Sequence, residues 1–516
     1  MEPLSRKERA IHLLNRFAYG PRPEDLDMLL EQGEKSWLEE QLSSAPEPNR
    51  ALTAQLKELE TLDLTPHECF EYTEADQEND GSEEARRKVR ERQNIPRQQL
   101  SQALVRRAVE KERQLEEVLC DFWRNHLNVS FTKGNQARIL ISDYERTVVR
   151  RHTLGNFEDM LMASAEHPAM LHYLDNHLSR KPPTEQELRD VERRVRRRTG
   201  SRSQGEEAAT IAGQKGLNEN YAREIMELHT LGVDNYYKQK DVIALAEALT
   251  GWTFSGGSRG THAFEFRKDM HDFGDKRLLG KIFKEDKEHP QAQGLAMVQM
   301  LARHKGTAAF VSMKLARFFV ADVPPPSLVK RLTKAYKKTK GNIPSIIQSL
   351  VTSEEFWSRE HYRAKFKTPY EFVMSAFRAL NVDISDFSKV HRALMDMGQP
   401  IYHCDDPTGY YDTAESWLDP GVMALRWEFA LGLAGGKVKG IEIPPNYYDS
   451  LPQEVPRLWQ HYLTEHIVPS GAGKRTRNAL STITNQYLAK ARVPDSRVLG
   501  PELVGLLLGS PEFQQQ

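Results

Sequence analysis

Histidine and carboxylate side chains concentrate in three short stretches of the 516-residue chain, and their spacing limits what each stretch could do. The first is GLNENYAREIMELHTLG at 216–232. Asn218 is suited to an N-cap and Gly232 to a C-cap, with a helix of about 12 residues between them. At about 100° per residue, Tyr221, Glu224 and Leu228 share a face, Glu227 lies about 60° from Glu224, and His229 about 140° away. One such helix cannot chelate a cation through all three. Glu224 and Glu227 could jointly hold a hard cation, or pair with Arg223 and a neighbouring helix. His229 either finds ligand partners on another segment or is a hydrogen-bonded core histidine beside Ile225 and Ala222.

The second stretch is DFWRNH at 121–126. Phe122 and His126 are four apart, hence on one helical face with Trp123 beside them. An imidazole among aromatic rings suits a ligand or a general acid/base, and equally a packed, satisfied histidine. The third, MHDFGDK at 270–276, puts His271, Asp272 and Asp275 on a glycine-containing loop. Such a loop can complete a site on a rigid frame, or simply turn with its aspartates bonded to nearby amides. Two further stretches are polar and aromatic. Lys365-Phe-Lys-Thr-Pro369 starts a helix with proline in its first turn and Glu371 following. The loop 398–412, ahead of Trp417, reads as a lid, a substrate-facing wall or a packed surface loop.

Taken together, these stretches predict a shared His/Glu/Asp pocket. Its candidate metal ligands are His126, Glu224, His229 and His271; Glu224, Glu227 and His271 are the candidate catalytic groups. Asn220, Tyr221, Arg223 and Asp272 are the candidate substrate contacts. A mixed imidazole and carboxylate shell suits a divalent metal such as Zn, Mn or Fe, whose bound water could hydrolyse a substrate with a free glutamate as base. The competing expectation is a non-catalytic binding or accessory protein, in which the same clusters are internal hydrogen-bond networks that fix helix packing.

The elements that must position these groups read as helices. From Pro23 to Leu42 apolar residues recur at spacings of three, four and seven, one buried stripe on a charged rod. The same pattern holds over 97–126, 136–150, 157–174, 217–231, 239–251, 293–303, 307–320, 326–338, 343–352, 369–380 and 420–434. The predicted class is mainly α, a multi-helix globular body built from helical hairpins. Aromatic alternation on either side of SGGSRG predicts one small β-hairpin near 252–267, or a loop with aromatic anchors. The predicted division is an N-terminal helical segment 1–70, a charged flexible excursion 71–95, a helical core 96–435 and a C-terminal helical segment 436–516. The core carries a basic insert, 181–215, whose arginines are partly neutralised by Glu185, Glu187, Asp190 and Glu192. It lacks interleaved aromatic residues for base stacking, so a solvated insert is the expectation and nucleic-acid binding is not.

Composition excludes more than it assigns. With 72 basic against 73 acidic residues the net charge is −1, which removes the case for a globally basic nucleic-acid binder. Three cysteines, Cys69, Cys120 and Cys404, form no CxxC pair, so neither a zinc ribbon nor a disulfide framework is expected. No apolar run is long enough for a membrane helix or a secretion signal, which makes cytoplasmic residence the expectation. The signatures of P-loop, dinucleotide-binding, HExxH zinc and GxSxG hydrolase chemistries are all missing.

The same clusters resemble a bacterial family catalogued as domain of unknown function 1800. FWRNHLNVS (122–130), GLNENYAREIMELHTLG (216–232), FEFRKDMHDFGDKRLLG (264–280), KFKTPYEF (365–372) and GYYDTAESWL (409–418) carry the resemblance, which covers nearly the whole chain. The departures are the excursions 71–95 and 181–215, and Asp405 and Thr408 in the 403–410 loop. The resemblance implies no established activity. It does imply a candidate partner, because genes of this family commonly adjoin one for an uncharacterised protein similar to alkaline-phosphatase-type enzymes, often with a twin-arginine export signal; co-export with that partner is conceivable.

Overall fold

Helix-starting and helix-stopping residues set most boundaries of the computed structural model, which describes residues 2–43, 49–74, 82–213, 216–233, 235–257, 260–452, 455–491 and 493–516. Ser5 with Glu8 and Thr368 with Glu371 form capping boxes that open helices Arg6–Phe17 and Pro369–Leu380. The expected rod from Pro23 to Leu42 breaks at Gly33 into Asp25–Gln32 and Glu34–Gln41, because Gly33 adopts φ +85°. The 157–174 helix breaks at Pro168, where His167 Nδ1 caps the new start by accepting from Ala169 N–H at 3.0 Å.

Among the described residues, twenty-five α-helices, three short 3₁₀ helices, two π segments and three two-stranded antiparallel sheets make a mainly α fold, as expected. The hairpin near 252–267 is present, with Trp252 opposite Phe266 and Phe254 opposite Phe264. A second hairpin, Lys276–Leu278 with Lys281–Phe283, turns through Leu279 and Gly280, both at positive φ. The expectation for 71–95 is a flexible excursion joined to a charged helix. Residues 71–74 end helix Pro66–Glu74, and 83–95 form the first half of the charged helix Glu83–Glu110, capped by Ser82 and supported by exposed pairs such as Lys88 with Glu84. Residues 75–81 lie outside the described residues. The basic insert is a helical hairpin, Glu185–Thr199 and Arg202–Gly213.

One continuous apolar cluster runs from Ala10 to Phe513. Two helices sit deep in it. Pro369–Leu380 is buried at every position, and Gln114–His126 buries Leu115, Val118, Leu119, Phe122 and Trp123. Both also bury polar groups, Glu371 and Arg378 on the first and Glu117, Arg124 and His126 on the second, and each such group needs a partner or a cavity. Residues 365–367 pair with 514–516 through reciprocal backbone bonds, including Lys367 N–H to Gln514 O at 2.8 Å. Two helices change pitch in mid-course: Asn135–Tyr144 continues as a π segment Glu145–Arg150, and Asn220–Glu224 as a π segment Ile225–Leu231. Among the described residues no helix is long and apolar enough to cross a membrane.

Candidate active site

The end of helix Gln114–His126 presents Asp121, Arg124 and Asn125 on one face, as i, i+3 and i+4 positions must. These residues line a narrow hollow with Phe318, Tyr370 and Asp412, about 580 Å³ of space counted out into open solvent. The 399–412 loop makes the opposite wall, and it is clasped in place. Asn125 accepts from Tyr410 N–H at 2.6 Å and donates to the Tyr410 carbonyl at 2.8 Å. Asn128 Nδ2 donates to the carbonyls of Cys404 and Asp406 at 3.1 and 2.9 Å. Gly409, at φ +77°, permits this approach, since a β-carbon there would collide with the Asn125 carbonyl.

Burial raises the Asp121 carboxyl to about 7, and the nearby Glu371, Asp412 and Glu145 carboxylates add to the shift. Arg124 Nη1 donates to Asp121 at 2.8 Å but cannot cancel it, because that guanidinium also serves Glu145 through bonds of 3.2 and 3.3 Å. Asp412 is raised by burial too, against the pull of Lys314 and Lys365. Its carboxylate accepts no hydrogen bond from the described residues. Burial lowers the Lys314 ammonium, with Asp412 opposing. Burial also holds the phenols of Tyr370, Tyr402 and Tyr410 above their ordinary range, so they remain donors.

Behind Asp121 runs a buried ladder of alternating charge. Arg124 meets Glu145, which meets Arg150 at 3.0 Å; Arg150 meets Glu117 at 2.6 Å, and Glu117 meets Lys111 at 3.0 Å. Tyr402 donates to Glu145 at 2.6 Å and ties the cavity loop to the ladder.

The residues expected to form one metal shell are distributed differently. His126 and His229 come together, with ring centroids 6.3 Å apart. His126 Nε2 lies 3.1 Å from the His229 carbonyl; a carbonyl only accepts, so Nε2 carries the hydrogen and Nδ1 is left buried without a partner. Burial holds His126 well below its ordinary range and pushes His229 down to about 3, and the Lys314 charge adds to both. Glu224 and Glu227 also come together. Burial, then Glu227 and Asp406, raise Glu224 to about 7, while Glu227 accepts from Tyr237 at 3.1 Å. Tyr221 is buried and donates to the Ala165 carbonyl, and Arg223 is held by Glu219 and Gln239. Asn220 is exposed, its N–H bonded to the Asn218 side chain.

His271 is elsewhere, its Nδ1 2.8 Å from the Thr250 carbonyl and its ring edge-on to Phe266 and Phe273. Asp272 is beside it, paired with Lys276 at 2.8 Å. No three His, Cys, Asp or Glu side chains among the described residues are disposed to hold one metal ion. The expected four-residue shell is therefore not assembled: His126 ends helix Gln114–His126 against the His229 carbonyl, whereas His271 sits on a separate loop against the Thr250 carbonyl.

Residues 12–515 match the family model described as "Protein of unknown function (DUF1800)". The chain belongs to the DUF1800 family. No curated protein and no solved structure matches it. In this DUF1800 chain the stretches at 122–130, 365–372 and 409–418 all reach the Asp121 cavity. The 216–232 stretch packs beside it through Lys314, whose charge acts on Asp412 and on both histidines. Sequence reasoning named the stretches holding Asp121 and Asp412 yet did not select either residue, and it missed Lys314. The available signal was Lys314 itself, which with Arg317 interrupts the largely apolar run Val311–Phe319.

Proposed function

We propose that this chain is a hydrolase-like acid–base enzyme that takes a small polar substrate into the cavity between helix Gln114–His126 and the 399–412 loop. The observation that supports this reading is the pair of carboxyls lining that one hollow, Asp121 raised to about 7 and Asp412 without a hydrogen-bond donor. Two carboxyls whose surroundings set them apart are suited to opposite proton-transfer roles. In the proposed step Asp412, ionised, takes a proton from water as its oxygen attacks. Asp121, still protonated near neutral pH, gives its proton to the leaving group, and exchange with solvent restores both. The Tyr370 hydroxyl donates to the substrate, those of Tyr402 and Tyr410 being held by Glu145 and the Pro400 carbonyl, and Lys314 and Lys365 favour the ionised Asp412. Glu224 remains a candidate second acid/base beside the Asp406 turn.

The test is turnover of a panel of small chromogenic esters, amides, glycosides and phosphate esters by the unmodified chain, Asp121→Asn and Asp412→Asn. Each substitution is expected to lower kcat about 10²–10⁴-fold, the usual contribution of a general acid or base. Turnover unchanged in both variants refutes the assignment.

A further inference from the structure

A second hollow, of about 900 Å³ and open to solvent, lies at the far end of the ion ladder, where helices Arg50–Lys57, Glu83–Glu110 and Gln114–His126 meet. Five cations line it, Lys57, Arg107, Lys111, Arg113 and Arg150, against two acids, Asp63 and Glu116. Not all the positive charge is matched from within. Lys111 is spent on Glu116 and Glu117, and Arg150 on Glu117 and Glu145. Arg113 is 6% exposed, gives Nη1 to the Ser43 carbonyl and has a buried Nε with no partner. The Arg107 guanidinium forms no hydrogen bond or ion pair with the described residues.

Buried guanidinium N–H groups without acceptors are costly, because they give up water and receive nothing in return. A wall that keeps the buried Arg113 Nε without an acceptor, beside the half-buried and unpaired Arg107 guanidinium, at an open cavity is built to receive an acceptor. Leu52, Leu56 and Leu62 form an apolar part of the same wall. We propose that this hollow binds a small organic phosphate, its oxyanion on Arg107 and Arg113 and its apolar body on the leucines. The planar fork of arginine matches a phosphate edge through two parallel bonds. The site is separate from the Asp121 cavity, and the inference stands whether or not that cavity is catalytic.

Phenyl phosphate and inorganic phosphate are the probes, titrated calorimetrically into the full chain at constant ionic strength. One phenyl phosphate per chain is expected, with Kd below about 1 mM. It should bind more tightly than inorganic phosphate, and about tenfold or more weakly to Arg107→Gln and to Arg113→Gln, as loss of a charge-assisted bond requires. Affinity in the unmodified chain should fall as sodium chloride is raised, a readout that needs no variant. Absence of saturable binding, equal affinity for the two probes, equal affinity in both variants, or indifference to salt each overturns the assignment.

Discussion

Asp121 makes the pH dependence of this protein calculable in sign. Its carboxyl rises from an ordinary 3.8 to about 7 on folding, with burial the largest cause. A group raised in this way contributes stability that is fully present below its unfolded value and lost as pH rises through the folded value. Asp121→Asn keeps the neutral shape and abolishes that loss. The variant is therefore expected to match the unmodified chain only below about pH 4, where the unfolded carboxyl is also protonated, and to melt at an increasingly higher temperature as pH rises to about 8, as thermal unfolding across that range will show. Glu224, also raised to about 7, adds a separate contribution of the same sign, so the unmodified chain loses stability in that interval through both groups. Activity should carry the same signature. kcat/KM is expected to rise as Asp412 ionises, above the usual aspartate value of 3.8, and to fall near 7 as Asp121 loses its proton. In Asp121→Asn the alkaline fall should vanish from whatever activity remains.

The ion ladder is a property of an element, the π segment Glu145–Arg150, which turns Glu145 and Arg150 inward on neighbouring turns. Glu145 serves two guanidiniums and one phenol from a position 1% exposed. Glu145→Gln leaves Arg124 and Arg150 under-compensated in the interior and is expected to cost about 3–5 kcal/mol in denaturant unfolding. Glu185→Gln, on the exposed insert, should fall within about 0.5 kcal/mol of zero. The helices that carry such groups were largely legible in sequence, because apolar period and caps such as Thr368 act locally. The π segments were not, since no residue type marks the extra residue in a turn. That is why a uniform 100° step placed His229 well away from Glu224 on a regular helix. The observed i→i+5 turn, in which Thr230 Oγ1 reaches the Ile225 carbonyl at 2.6 Å, has a different phase. The cavity was invisible for a related reason: Asp121 and Asp412 line one hollow through the Asn125 clasp, the Gly409 approach and the Lys365 bond to the Asp412 carbonyl, contacts that no local pattern encodes.

At the scale of the whole molecule, the basic insert is attached to the body rather than built into it. Helix Glu185–Thr199 contains no buried residue, and its charges pair along its own surface, Arg189 with Glu185 and Arg193 with Asp190. The two ends of the excursion meet, for Arg180 N–H donates to the Gly216 carbonyl at 3.3 Å. Lys181 N–H then bonds the Met270 carbonyl at 2.8 Å, so the body's contact with this region lies at the base of the hairpin. Solvated pairs of this kind contribute little, and closing a loop costs only slowly more with its length. Replacing residues 184–215 with a short Gly-Ser linker should therefore leave unfolding free energy within about 1 kcal/mol of the full chain. Phenyl phosphate affinity and the Asp121-dependent fall in stability with pH should be unchanged, because both sites draw on helices Glu83–Glu110 and Gln114–His126. A shortened chain that melts in two steps, or loses either property, would show instead that the arginine-rich hairpin holds the body together.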